Sequence, residues 1–333
     1  MRATLLVVLG LLATGSGARA EGWRHFRIIL WQTPTATQIP ALKRLGVETT
    51  KLIANRSGKG PLVDGPAIAP LLAGGMRWYV ENIATDFYSA YHRWRPHVPV
   101  NAAFLAAQRA HGAEPASLAP FIRQPSLSDP AALAAITTRL RRTVRAWAPY
   151  RPLYYSLGDE SGIADLAANW DFDFSPVSLA GFRAWLHGRY PSLAALNAEW
   201  GTHYAHWDAV TPITTTAAMA RTDDNFAPWS DFKGWMDTAF ASAIRAGTDA
   251  VHAADPEARA AIEGAQIAGW GGYDYAKLAG AADVMEIYDA GANLAMARSF
   301  NPRLILLTTA AESGPVAIRD IWQEALRGTR GLI

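Results

Sequence analysis

The sequence contains no cysteine among its 333 residues. This absence excludes disulfide bonds, thiolate nucleophiles, and zinc or iron–sulfur sites with cysteine ligands. An excess of charge of one sign is also lacking, because 31 basic side chains stand against 29 acidic ones. Since nucleic-acid binding usually requires a clear basic excess, we expect no nucleic-acid partner.

Several motifs of cofactor and metal chemistry are missing as well. The sequence has no G-x-x-x-x-G-K-[ST] phosphate loop, no H-E-x-x-H metal motif and no G-x-S-x-G nucleophile turn. His203 and His206 are three residues apart, but no third ligand lies near them in the sequence. We therefore expect neither a cofactor nor a metal ion, and carboxylate chemistry remains as the kind best supported.

The first 20 residues have the layout of a secretory signal peptide. Met1-Arg2 is followed by an apolar run, and small residues precede Glu21 at Ala18-Arg19-Ala20. The apolar run is short for a permanent membrane anchor, although a retained anchor stays open, and no later segment offers about twenty uncharged apolar residues. We expect residues 1–20 to be removed on export, no stable membrane span afterwards, and a periplasmic or secreted protein consisting of residues 21–333.

Short runs of β-branched and aromatic residues alternate with longer helical segments along residues 21–333. This alternation is typical of β–α units around a parallel sheet, and eight strands predict an α/β fold of the (β/α)8 TIM barrel type in one domain. Because the chain stops at Ile333, the barrel is expected to be truncated at or just after strand eight. The predicted strands are Arg27–Gln32, Thr49–Ala54, Met76–Asn82, Leu153–Glu160, Ala260–Gln266, Val284–Asp289, Leu304–Thr309 and one starting at Gly331. The predicted helices are Ile39–Leu45, Pro130–Trp147, Leu179–Tyr190, Phe232–Ala254 and Val316–Arg327.

The fourth predicted strand ends in two carboxylates, Asp159 and Glu160. Residues at the carboxyl ends of barrel strands face the mouth, where catalytic acids are found. A glycosidase needs one carboxyl group that stays protonated near neutral pH, and partial burial beside a second carboxylate raises a pKa in that direction. Glu160 is therefore the candidate general acid. The structural alternative is that the two carboxylates cap the next helix or pair with Arg123 or Arg151.

Two residues compete for the role of the second catalytic carboxylate. Glu312 follows the seventh predicted strand, and a solvated loop carboxylate is its structural alternative. Glu286 lies inside the sixth strand, and strand alternation places it on one face with Val284 and Tyr288. A glutamate among apolar residues needs a site or an ion pair. We favour Glu286 and keep Glu312 as the alternative nucleophile.

A more specific pattern follows Glu160. The chain carries Ser175-Pro176, Phe182-Arg183-Ala184-Trp185-Leu186, Tyr190, Ser192-Leu193, Leu196-Asn197, Trp200-Gly201-Thr202 and Trp207-Asp208. This segment resembles the one that follows the acid/base glutamate in β-galactosidases of glycoside hydrolase family 42. The resemblance implies a clan A barrel, a retaining double-displacement mechanism and β-linked galactosides as substrates. It also implies that Glu160 is the acid/base, that a glutamate at the end of strand seven is the nucleophile, and that Tyr288 and Asp289 contact sugar.

The chain also departs from the family pattern. The family usually has asparagine directly before the acid/base, where this sequence has Asp159, so the resemblance leaves the substrate open. The cysteine-ligated zinc site of many members cannot form here.

Together these patterns predict a glycoside hydrolase that cleaves β-linked galactosides or related β-glycosides with a pair of glutamates. A catalytically inactive barrel that binds carbohydrate is the alternative. The candidate substrate-binding residues are Asp159, Tyr288, Asp289, Glu81, Asn82, Trp31, Trp270 and Glu263, each of which could instead fill a structural polar layer or the core.

Overall fold

A computed structural model describes residues 23–54, 61–89, 104–164, 171–269, 272–288, 292–309 and 312–333. The predicted signal peptide lies outside these residues and stays a prediction. Within the described part of the chain, no helix is long and apolar enough to cross a membrane.

Eight parallel strands close into a barrel in which each strand pairs with the next one along the chain and the last pairs with the first. This topology confirms the predicted (β/α)8 barrel. The strands are β1 (Arg27–Leu30), β2 (Val47–Ile53), β3 (Arg77–Glu81), β4 (Tyr155–Asp159), β5 (Ala260–Ala265), β6 (Val284–Ile287), β7 (Ile305–Thr308) and β8 (Gly331–Leu332). Most are shorter than predicted, because their last polar residues turn out of the sheet and form the mouth.

Helices connect the strands and cover the outside of the barrel. The described ones are α1 (Ile39–Arg44), α2 (Gly65–Ala73), α3 (Thr85–Tyr88), α4 (Phe104–Ala113), α5 (Pro130–Trp147), α6 (Pro176–His187), α7 (Leu193–Trp200), α8 (Thr215–Met219), α9 (Ala227–Ala254), α10 (Tyr275–Leu278), α11 (Asn293–Phe300) and α12 (Gly314–Leu326). The prediction that α6 begins at Leu179 was wrong by three residues. The Ser175 hydroxyl caps the helix by accepting the Ser178 N–H at 3.3 Å, and Pro176 suits the first turn.

The segment that carries the family resemblance is mainly a scaffold. Asp231 of α9 is buried and accepts hydrogen bonds from the Tyr190 hydroxyl at 2.6 Å and from Trp200 Nε1 at 2.9 Å. The Arg189 guanidinium lies 3.2 Å from the same carboxylate. Because one buried carboxylate satisfies three donors, it fixes the connection from α6 to α7 against α9.

Arg123 joins the loops that follow β3 and β4. Its side chain is buried, with the residue only 1% exposed, and donates to the main-chain carbonyls of Phe87 and Ile163, each at 2.6 Å. It also donates to the Pro125 carbonyl at 2.5 Å. Hydrogen bonds from a charged group each contribute roughly 1.5–3 kcal/mol. This guanidinium therefore braces the two loops that shape one side of the barrel mouth.

Candidate active site

A cavity of about 150 Å³ opens at the carboxyl ends of the strands. Its lining residues come from the ends of β1, β4, β5, β6, β7 and β8, so it is the mouth of the barrel, where barrel enzymes carry their active sites. The residues that line it are Trp31, Asp159, Glu263, Glu286, Tyr288, Thr309 and Ile333.

Glu286 is the most enclosed carboxyl group that lines this mouth. It lies on β6, is 3% exposed, and accepts hydrogen bonds from the Gly264 N–H on Oε2 and from the Thr309 hydroxyl on Oε1. Burial raises the pKa of Glu286 to about 8, and the nearby carboxylates of Asp159 and Glu160 add to the shift. Glu286 is therefore mainly protonated at pH 7.

Glu160 follows β4 and is partly exposed. Its backbone has a φ of 47°, in the left-handed region that non-glycine residues adopt only when their surroundings hold them there. The surroundings include a hydrogen bond from the Glu160 N–H to the Glu263 carbonyl at 3.0 Å. The Tyr288 hydroxyl donates to Glu160 Oε1 at 3.1 Å, and burial, followed by the charges of Asp159 and Glu160, raises the pKa of Tyr288. Tyr288 therefore stays a hydrogen-bond donor that favours the ionised form of Glu160.

Gly264 on β5 is the point at which the carboxyl-bearing residues meet. Its φ is 61°, and a Cβ atom there would lie 2.8 Å from Asp159 Oδ1 and 2.8 Å from Glu160 Cγ. Its N–H group is the donor to Glu286. Since a side chain would fill the space that these groups use, the absence of one at Gly264 lets residues of β4 and β6 converge.

Glu263 lies on the barrel axis side of β5 and lines the same cavity. The buried hydroxyl of Tyr154 donates to Glu263 Oε1 at 2.9 Å, and Tyr79 stacks on Tyr154 with the ring centroids 4.4 Å apart. Burial raises the pKa of Glu263 well above its ordinary value, and the carboxylates of Glu81 and Glu286 act in the same direction.

Glu81 belongs to a separate ion pair at the end of β3. Lys51 Nζ lies 2.8 Å from Glu81 Oε2, and Trp31 Nε1 donates to Glu81 Oε1 at 2.6 Å. The Lys51 ammonium also lies 4.3 Å from the centre of the Trp31 ring. These contacts fix the Trp31 ring, which is half exposed, at the edge of the cavity. The neighbouring Asn82 has a φ of 55° and a buried Oδ1 without a hydrogen-bond partner.

The structure brings most of the predicted site residues together and separates a few. Glu312 is exposed at the residues preceding α12 and is not among the residues that line the cavity. Trp270 and Asp289 lie outside the described residues. Thr309, which sequence reasoning missed, occupies the end of β7 beside Glu286. Its only sequence signal is its position directly after a buried strand.

Metal ligation has no support in the described part of the chain, where no group of three or more histidine or acidic side chains is arranged to hold an ion. The site can instead supply a protonated carboxyl group, an ionised one with a phenol donor, and an aromatic ring at the rim. These are the components that glycosidic bond cleavage requires.

The family model of a β-galactosidase, glycoside hydrolase family 42, matches residues 164–293. The chain is similar to the family-42 barrel. This match confirms the resemblance predicted from the sequence and supports a glycoside hydrolase barrel of the family-42 type. It spans less than half of the chain, and includes Glu263, Glu286 and Tyr288 but ends short of Glu160.

Solved structures show the same likeness. The catalytic domain of a β-amylase from Paenibacillus polymyxa superimposes with a TM-score of 0.63 at 14% identity, covering 92% of this chain and 91% of that one. A β-galactosidase from Bacillus circulans sp. alkalophilus gives 0.63 at 12% identity, covering 92% and 49%. A catalytic mutant of a family-42 β-galactosidase from G. stearothermophilus gives 0.62 at 14% identity, covering 92% and 50%.

At these identities the similarity establishes the fold alone. The chain spans about half the length of the two β-galactosidases. A search of curated proteins finds no match to it.

Proposed function

We propose that this protein is a retaining glycoside hydrolase that cleaves β-linked galactosides or related β-glycosides, with Glu160 and Glu286 as its two reacting carboxyl groups. The observation that carries the proposal is their convergence around Gly264 at the mouth of the barrel. The family match adds support. The proposal includes export, for which the support is the signal-peptide layout of residues 1–20.

The two carboxyl groups differ in charge, and the difference suggests their roles. Glu286, with a pKa of about 8, carries a proton at neutral pH, whereas the Tyr288 hydroxyl favours an ionised Glu160. In this assignment Glu286 is the general acid and Glu160 is the nucleophile, the reverse of the role that the resemblance implies for Glu160.

The chemistry follows from these protonation states. The Glu160 carboxylate attacks the anomeric carbon while Glu286 transfers its proton to the glycosidic oxygen, so the glycosidic bond breaks and an alcohol leaves. Glu286, now ionised, removes a proton from water, which attacks the glycosyl ester and releases the sugar with its β configuration. Both carboxyl groups then return to their starting charge.

Two substitutions and two leaving groups test the roles. Glu286→Gln and Glu160→Gln should each lower kcat on an alkyl β-glycoside by about a hundredfold or more. A 2,4-dinitrophenyl leaving group needs no protonation, so it should restore bond cleavage in Glu286→Gln and not in Glu160→Gln. The matched control is Glu257→Gln, because Glu257 is exposed and far along the sequence from either strand end. Restoration in Glu160→Gln alone would exchange the two roles.

The pH profile provides an independent check. If Glu286 donates the proton, kcat/KM should fall as the pH rises through about 8, because the ionised form accumulates there. The falling limb should disappear in Glu286→Gln. A kcat/KM that instead rises through pH 8 would show that the ionised form of Glu286 is the active one.

A carbohydrate-binding barrel without catalysis is the second candidate. The observation that favours it is at the end of β7, where Thr309 rather than a carboxylate lines the cavity. Binding of galactosides by calorimetry, with no release of free sugar from any glycoside tested, would favour this candidate over the hydrolase.

A further inference from the structure

The cavity at the barrel mouth is acidic. Three of its lining residues are Asp159, Glu263 and Glu286, and no lysine, arginine or histidine is among the residues of the described chain that line it. Asp159 and Glu263 are register partners on the adjacent parallel strands β4 and β5. Because register partners in a sheet direct their side chains to the same face, the two carboxyl groups are neighbours on the inner side of the barrel.

One of these groups has an unused hydrogen-bonding atom. Glu263 is 4% exposed, and its Oε2 atom has no hydrogen-bond partner. Its Oε1 atom is occupied by the Tyr154 hydroxyl. A buried carboxyl oxygen without a donor is costly, since the lost hydration is not replaced. The cavity that Glu263 lines is therefore built for a ligand that brings a hydrogen-bond donor.

The ligand that fits is an organic cation rather than a metal ion. An ammonium group provides three N–H donors and a positive charge, which suits several carboxyl oxygens around one cavity. A metal ion needs a convergent set of ligands, and no such set exists among the described residues.

The position of the acidic groups indicates where on a sugar the ammonium belongs. Asp159 directly precedes Glu160 in the chain, and Asp159 Oδ1 and Glu160 Cγ lie within 2.8 Å of the same point beside Gly264. In the proposed function Glu160 reacts at the anomeric carbon. The Asp159 carboxylate then lies beside the ring substituent next to that carbon, on C2.

We propose that the substrates are β-glycosides of 2-amino-2-deoxy sugars with a free amine, and that Asp159 and Glu263 hold the C2 ammonium group. This inference rests on the proposed function and narrows its substrate class. The Glu263 Oε2 atom receives the donor that it lacks, and the charge of the ammonium offsets the crowding of carboxylates.

The test compares three chromogenic substrates that differ only at C2: 4-nitrophenyl β-D-galactoside, its 2-amino-2-deoxy analogue and its N-acetylated analogue. At a pH where the amine is protonated, kcat/KM should be at least tenfold higher for the amino sugar than for the other two. Preference for the neutral galactoside would overturn the inference and leave the hydrolase standing. Equal turnover of the amine and the N-acetyl compound would also overturn it, because acetylation removes the charge.

An isosteric variant isolates the charge of Asp159. Asp159→Asn keeps the size of the side chain, so it should lower kcat/KM for the amino sugar by about 30-fold or more, as expected for loss of one partner of an enclosed charge pair. The same variant should leave the neutral galactoside within about threefold of its starting value. The control Asp208→Asn changes an exposed aspartate and should alter neither substrate.

A binding measurement separates failure of the inference from failure of the proposed function. If no glycoside is cleaved, the hydrolase proposal fails, and calorimetry with free galactosamine and galactose decides the question of the ligand. Galactosamine that binds at least tenfold tighter than galactose, and loses that advantage in Asp159→Asn, would uphold the ammonium site. Equal affinities, or no binding of galactosamine, would overturn it.

Discussion

The carboxyl group of Glu286 lies inside the barrel, where water cannot solvate its charge. Its pKa is about 8 in the folded protein against an ordinary value of 4.5. The folded state therefore binds this proton more tightly than the unfolded chain, and the contribution of Glu286 to stability is present below pH 4.5 and is lost as the pH rises toward 8.

We expect Glu286→Gln to reduce this loss, because glutamine keeps the shape of the side chain and cannot ionise. The free energy of unfolding, measured by urea denaturation at pH 5 and pH 8, should fall less in the variant than in the natural protein. The difference between the two slopes should be on the order of several kcal/mol. Glu312→Gln, at an exposed carboxylate, is the control. Identical pH dependence in Glu286→Gln and the natural protein would contradict the burial argument.

At the scale of the element, β5 shows how one glycine lets neighbouring strands share a site. Gly264 has a left-handed backbone conformation, and the space beside its Cα is occupied by Asp159 and Glu160. An alanine would meet both the intrinsic cost of this conformation, roughly 1–2 kcal/mol, and a steric conflict with the site. Gly264→Ala should therefore lower sugar binding or turnover at least tenfold.

Gly269→Ala is the matched control for this substitution. Gly269 has a φ of 88° but nothing within 4 Å of the position a Cβ would take, so alanine there adds backbone strain without the steric conflict. Both variants should lose similar stability in a thermal melt from strain, and only Gly264→Ala should also lose function. Full function in Gly264→Ala would show that the convergence at this glycine is not required.

At the scale of the whole molecule, the barrel is closed by a short strand. β8 pairs with both β7 and β1, and the Leu332 side chain is 4% exposed between them. Leu332→Ala should lower the free energy of unfolding by about 2–4 kcal/mol, since it leaves a cavity where the two ends of the sheet meet. Leu326→Ala is the control, because Leu326 is 84% exposed and its loss should cost about 0.5 kcal/mol or less. Equal costs in chemical denaturation would show that closure through β8 contributes little.

The sequence by itself determined the eight strands, because runs of β-branched and aromatic residues between helical segments leave a parallel barrel as the way to bury both. It also located Glu160 and Glu286, since a carboxylate at a strand end or among apolar strand residues is conspicuous in one dimension. Only the tertiary structure decided that Gly264 is the meeting point, that Thr309 donates to Glu286, and that Glu312 lies exposed away from the cavity. These are relations between residues on different strands, and closure of the barrel, rather than any local pattern, sets which strand ends meet and which side chains share one enclosed space.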